Sequence, residues 1–175
     1  MTTVWTIGHS TRPLEELIGL LREHEITQLV DIRTVPGSRH NPQYSQEALR
    51  TSLPEHGVRY VYLKELGGLR KTAPDSINGA WRNASFRGYA DYMQTPAFRA
   101  AVDELVDLAA RPRTAIMCAE AVPWRCHRSL VGDALLVRGV RVVDIVGPHQ
   151  AREHKLTAFA QVEGSSITYP PETPD

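Results

Sequence analysis

The sequence predicts an α/β fold: a mostly parallel β-sheet flanked by helices on both faces, a Rossmann-like three-layer arrangement. Two observations predict it. Short segments of strand character alternate with segments whose apolar residues recur at helical spacing along most of the chain. One of the strand segments, Thr114-Ala115-Ile116-Met117-Cys118, carries little polar content, as expected of a strand covered on both faces.

Each element can be read in order. Val4-Trp5-Thr6-Ile7 forms a short strand that runs into Gly8-His9-Ser10-Thr11. Leu14, Leu17, Ile18 and Leu21 then follow the i, i+3, i+4, i+7 spacing of an amphipathic helix, with Ser10 or Thr11 as its cap and Pro13 in its first turn. Residues 26–32 make a second strand that breaks at Val35-Pro36-Gly37. Ser45 caps a short helix carrying Leu49 and Leu53, closed by Gly57. Residues 58–63 alternate as a third strand, nearer a sheet edge because the strand keeps Arg59. Residues 67–87 break the pattern with Gly67-Gly68, Pro74 and Asn78-Gly79, and a loop this long is functional or mobile.

Helical spacing resumes at Phe86, Tyr89, Ala90 and Met93. Thr95-Pro96 starts a further helix with Phe98, Val102, Leu105, Val106 and Ala109 on its apolar side. After the strand ending at Cys118, a helix from about Cys126 carries Leu130, Val131, Ala134 and Leu135 and stops at Arg138-Gly139. Residues 140–146 form another buried strand, and residues 149–160 a last helix. Residues 1–160 are thus expected as one α/β domain and residues 161–175 as a partly loose C-terminal tail.

Bulk properties narrow the function classes. The 175 residues are 42% hydrophobic and 23% charged, ordinary for a globular protein. Twenty basic residues balance twenty acidic ones, so the net charge does not favour a nucleic-acid partner, and no membrane partner is expected. Any anion binding must be local. The first residues lack the basic start and long apolar run of a signal peptide, which makes the cytoplasm the expected compartment.

Three strands end in polar clusters, and in a parallel sheet all three share one rim, where ligands bind. These are Gly8-His9-Ser10, then Asp31-Ile32-Arg33 followed by Ser38-Arg39-His40, and finally Cys118-Ala119-Glu120 leading to Cys126-His127-Arg128. A cysteine at a helix start beside arginine and histidine would be held as thiolate, so Cys126 is the expected nucleophile and Cys118 a small core residue. His127 could act as nucleophile or base, oriented by Glu120. Arg33, Arg39 and Arg128 would hold an anion, with His9, Ser10, Asp31 and Ser38 as further ligand contacts. Ser10 as a helix cap, and Asp31 with Arg33 as a structural ion pair, are equally open readings. A phosphatase pattern from Cys118 would need arginine at position 124, which is Trp124. Cys118, Cys126, His127 and His9 lack the tight spacing of common zinc sites, so neither a metal nor a cofactor is expected. The loop cations Arg70, Lys71, Arg82 and Arg87 stand among Trp81 and Phe86, a mixture that suits a nucleic-acid strand, a lid over a small-molecule site or a solvated loop.

Taken in order, Ile7-Gly8-His9-Ser10, Asp31-Ile32-Arg33 with Pro36 and Ser38-Arg39, Leu66-Gly67-Gly68, Phe86 with Tyr89 and Met93, Cys118-Ala119-Glu120 and Cys126-His127-Arg128 resemble the domain of unknown function 488 family. Ile32 departs mildly from the family's usual Asp-Val-Arg. The resemblance implies an intracellular α/β domain and assigns no catalytic roles. The expected function is a hydrolase or transferase acting on an anionic, phosphate-bearing substrate. The alternative is a module that binds a nucleotide or nucleic acid without catalysis.

Overall fold

A computed structural model of the chain describes residues 1–37 and 39–172. Its main sheet has six strands: β1 (Thr3–Gly8), β2 (Gln28–Asp31), β3 (Arg59–Tyr62), β4 (Thr114–Cys118), β5 (Arg141–Gly147) and β6 (Gln150–Glu153), in the spatial order β3-β2-β4-β1-β5-β6. The first five are parallel, and β6 pairs antiparallel with β5. Five α-helices surround the sheet among the described residues: α1 (Leu14–Glu23), α2 (Gln46–Glu55), α3 (Ala84–Tyr92), α4 (Pro96–Leu108) and α5 (Arg128–Leu136).

Period-two alternation along the strands sorts two cores. Trp5, Ile7, Leu29, Ala115 and Met117 face the layer of α1 and α2, where they meet Leu17, Leu21, Leu49 and Leu53. Val4, Val30, Ile116 and Val142 face the other layer, against Tyr89, Phe98, Leu105 and Leu130 of α3, α4 and α5. The helix ends follow local chemistry. Ser45 Oγ accepts from Ala48 N, Asn83 caps α3 through Ser85 N and Phe86 N, and Thr95 caps α4 ahead of Pro96. No helix among the described residues is long and apolar enough to cross a membrane.

The strand order matters most for function. The strand β4 comes late in the chain but inserts between β1 and β2, with Gly8 beside Cys118 and Asp31 beside Met117. Three polar carboxyl-terminal strand ends therefore stand side by side.

Four expectations change. First, α1 begins at Leu14 with Pro13 before it and no side-chain cap. Ser10 instead turns the chain, with φ +50°. Second, α5 begins at Arg128, because Pro123–Arg125 forms a 3-10 turn and Cys126 follows it in extended conformation. Third, residues 149–160 are not a helix. After Pro148 the chain reverses through His149, which has φ +54°, and Gln150–Glu153 pair with the open edge of β5. All four residues of β6 are exposed, so this stretch has no apolar stripe with which to bury a helix. Fourth, the stretch expected as a partly loose tail carries a hairpin of β7 (Gln161–Glu163) and β8 (Ser166–Thr168), and Tyr169 beyond it is fully buried.

Candidate functional site

A cavity of about 330 Å³ opens at the rim beyond the ends of β2 and β4. Its wall includes Cys118, Glu120, Arg125, Cys126 and His127, together with Arg33 and Thr34 after β2 and Phe86 of α3.

The base of the site is an ion pair. Asp31 and Arg33 are two residues apart at a strand end, and the guanidinium folds back on the carboxylate. Arg33 Nε donates to Asp31 Oδ1 at 2.9 Å and Nη2 to Oδ2 at 2.7 Å. The Arg33 backbone N–H also reaches Oδ1, and the Tyr60 hydroxyl donates to Oδ2 at 2.6 Å. Asp31 is wholly buried and its oxygens are occupied, so it positions Arg33 and does not meet ligand. Burial disfavours the Arg33 charge, but the Asp31 bonds and field outweigh it and raise the guanidinium pKa.

His9 belongs to the same scaffold. It is buried, stacked on Tyr44 at 4.4 Å, and its Nδ1 donates to Ser10 O at 2.8 Å. The other ring nitrogen accepts from Arg33 Nη1 at 3.3 Å. Burial foremost lowers the His9 pKa, and the Arg33 charge adds to it, which keeps the ring neutral in the tautomer these bonds require. Expected as a ligand contact, His9 steadies Arg33 from behind. Ser10 likewise works through its backbone, with its N–H donating to Ala119 O.

The loop after β4 carries the chemistry. Arg128, the first residue of α5, is completely buried and points back under this loop. Its Nη1 donates to Cys118 Sγ at 3.0 Å and to Glu120 O, and its Nη2 to Ala121 O at 3.0 Å. Gly8 permits the arrangement, because a Cβ there would lie 1.5 Å from Glu120 O and 2.6 Å from Arg128 Nη1. Arg128, expected to hold a ligand anion, is fully buried outside the cavity lining and donates to a sulfur, with its Nε left without a partner among the described residues.

The two cysteines are free and lie close enough to perturb each other's ionisation. Burial opposes a Cys118 thiolate. The neighbouring Cys126, the Arg128 charge and its direct hydrogen bond outweigh burial and bring the Cys118 pKa below the ordinary thiol value. Cys126 goes the other way, since burial and the neighbouring Cys118 push it well above that value. The thiol with the lowered pKa is thus Cys118, where the sequence pointed to Cys126. Cys126 lies ahead of α5, and its sulfur accepts only a long bond from Arg128 N at 3.5 Å. Cys118 takes the charged donor.

His127 Nε2 donates to Ile32 O at 2.9 Å, leaving Nδ1 as a lone pair 3.5 Å from Cys126 Sγ. Burial, with the charges of Arg128 and Arg70 adding, lowers the His127 pKa to about 4. Gly68 leaves room for the ring, as a Cβ there would sit 3.2 Å from Nδ1. Glu120 does not orient His127: its side chain is exposed on the cavity wall and makes no hydrogen bond or ion pair among the described residues.

Of the remaining candidates, Arg39 is exposed and outside the cavity lining, and Ser38 lies outside the described residues. Arg125 does reach the wall and is exposed there. The loop cations are engaged locally: Arg70 stacks over Tyr92 at 3.7 Å, and Arg87 Nε donates to Trp81 O. Trp81 packs against Phe86, Phe159 and Tyr169. Among the described residues, no group of three or more His, Cys, Asp or Glu side chains could hold a metal ion.

No curated protein and no solved structure matches the chain. Residues 13–135, which span the Asp31–Arg33 pair, both cysteines and Arg128, match the family described as Domain of unknown function DUF488, and the chain belongs to that family.

Proposed function

We propose that the protein is a cysteine-dependent transferase or hydrolase of the cytoplasm, with Cys118 as nucleophile, acting on a small substrate that carries an anionic group. The observation that carries this reading is the 3.0 Å donation from the buried Arg128 guanidinium to Cys118 Sγ at the edge of a cavity. A buried cysteine with only structural work is a small apolar residue, and nothing in packing requires an arginine to be buried against it. In the proposed reaction Cys118 attacks the electrophilic centre, its sulfur bonds to the transferred group and the leaving group departs. The leaving group takes its proton from solvent, and Glu120, exposed on the wall, takes one from the water or acceptor that completes the transfer. Arg125 and the outer face of Arg33 receive the substrate's anion, in place of Arg128 and Arg39. A reducing compartment keeps both thiols available.

Competitive alkylation tests the reading on the intact chain. Iodoacetate and iodoacetamide at neutral pH should modify Cys118 before Cys126. The rate should exceed that of free cysteine by roughly ten-fold, in line with a larger thiolate fraction. The preference for the anionic reagent should fall in Arg125→Ala. Modification of Cys126 first, or a Cys118 rate no greater than that of free cysteine, would overturn the assignment.

A further inference from the structure

The proposed nucleophile uses one thiol, yet the cavity holds two. Cys118 ends a sheet strand, whereas Cys126 follows the Pro123–Arg125 turn ahead of α5, and the two side chains line one cavity wall. The same arginine serves both sulfurs, Nη1 for Cys118 and its backbone N–H for Cys126. Cys126 belongs to the connection and not to the sheet, so closing on Cys118 requires no shift of a strand. A neutral thiol beside a charged-donor thiolate has no role in single-thiol group transfer. It is the arrangement needed to capture an oxidised partner.

We propose that Cys118 and Cys126 form a two-thiol redox couple that closes reversibly to an intramolecular disulfide when a hydroperoxide enters the cavity. Cys118 thiolate attacks one oxygen of the hydroperoxide. The O–O bond breaks, the departing oxygen leaves as an alcohol or water after taking up a proton, and Cys118 becomes a sulfenic acid. Cys126 then attacks the Cys118 sulfur, forming the S–S bond and expelling hydroxide. The proton from Cys126 passes by way of the His127 Nδ1 lone pair and leaves with that hydroxide as water. Two thiols and one hydroperoxide thus give a disulfide, an alcohol and water. An external dithiol returns two electrons and two protons by exchange. The couple draws on the same Cys118 thiolate as the proposed group transfer, and the two can fail separately.

The test treats the reduced full-length chain with one equivalent of hydrogen peroxide, blocks free thiols with iodoacetamide, and maps peptides by mass. The expected product has lost two hydrogens, joins Cys118 to Cys126 within one chain and is reopened by dithiothreitol. In Cys126→Ser the oxidation should stop at a Cys118 sulfenic acid that dimedone traps. In Cys118→Ser, oxidation of Cys126 should slow by at least about ten-fold. Wild-type protein measured alone decides the matter if either variant folds poorly. A lasting sulfenic or sulfinic acid at Cys118, a disulfide between chains, or first oxidation at Cys126 would each overturn the couple. Fast iodoacetate modification of Cys118 without disulfide closure would remove the couple and leave the nucleophile. Failure of both reactions removes both.

Discussion

Two buried charge networks use α5, and only one of them leaves a reactive group over. At the first residue of the helix, Arg128 donates to Cys118 Sγ beside an open cavity. Farther along it, Asp133 joins His154 and Asp144 of β5. His154 Nε2 donates to Asp133 Oδ1 at 2.9 Å, and Nδ1 to Asp144 Oδ2 at 3.0 Å. Asp133 also accepts from Thr157 N, Thr157 Oγ1 and Tyr169 Oη, and Asp144 accepts from Thr6 Oγ1. Burial would lower the His154 pKa, but the two carboxylates raise it to about 9. This second network borders a larger cavity of about 600 Å³, yet both nitrogens of its histidine are spent on carboxylates. Its work is to fasten residues 154–169 to the sheet and α5. Burial and a shifted pKa are therefore common to both regions. What separates them is a thiol on a cavity wall.

The largest effect should come from breaking the fastening network. Asp133→Ala leaves the His154 imidazolium short of one carboxylate and strips partners from Tyr169 and Thr157. Removing one member of a buried pair costs about 3–5 kcal/mol, to be read as a lower unfolding midpoint in urea. Cys118 should still outpace Cys126 in alkylation wherever the variant stays folded. Loss of that order with stability intact would mean that the two regions are one site.

A somewhat smaller effect distinguishes the regions by pH, with opposite signs. His154 has a folded pKa of about 9 against an ordinary 6.5. Its stabilisation is complete below the ordinary value and is lost as pH rises through 9, an amount of roughly 3 kcal/mol. His127 is lowered to about 4 from 6.5. Its contribution is complete above 6.5 and is lost as pH falls towards 4, again by roughly 3 kcal/mol. His9, also lowered, adds to the acid side. Urea unfolding across this range should show His154→Gln without the alkaline decline and His127→Gln with a weaker acid decline. A steeper acid decline in His154→Gln would contradict the imidazolium.

Much of the layered fold was legible because apolar spacing reports burial directly. Thr114–Cys118 reads as a central strand since none of its side chains can face water, and the caps Ser45 and Thr95 announce α2 and α4. Residues 149–160 misled because a polar stretch has no periodicity to separate an edge strand from a helix. The meeting of polar strand ends on one rim was legible too, but the partners of each side chain were not. Whether Cys118 or Cys126 carries the charge depends on where Arg128 points, and that depends on a 3-10 turn that delays α5 by two residues. The signal available was Gly8, a glycine at the end of a strand where the 118–121 loop must pass closely. Arg125 and Phe86 reach the cavity through tertiary approach alone, which spacing along the chain does not encode.

The smallest effect asks whether the Asp31–Arg33 pair belongs to the scaffold or to the reacting centre. Tyr60→Phe removes one of the donors on Asp31 while Arg33 keeps its two-pronged contact. A hydrogen bond to a charged group is worth about 1.5–3 kcal/mol. The tyrosine sits on the edge strand β3, half-buried, so a loss near the lower end is expected in urea unfolding. Because the Arg33 guanidinium stays bound to Asp31 and to His9, its outer face stays where it is. The ratio of iodoacetate to iodoacetamide rates at Cys118 should hold within about two-fold, since a cavity-lining cation that does not move changes no thiolate fraction. A large fall in that ratio would show that Asp31 tunes the thiolate side of the cavity, and would move the ion pair from support into the chemistry itself.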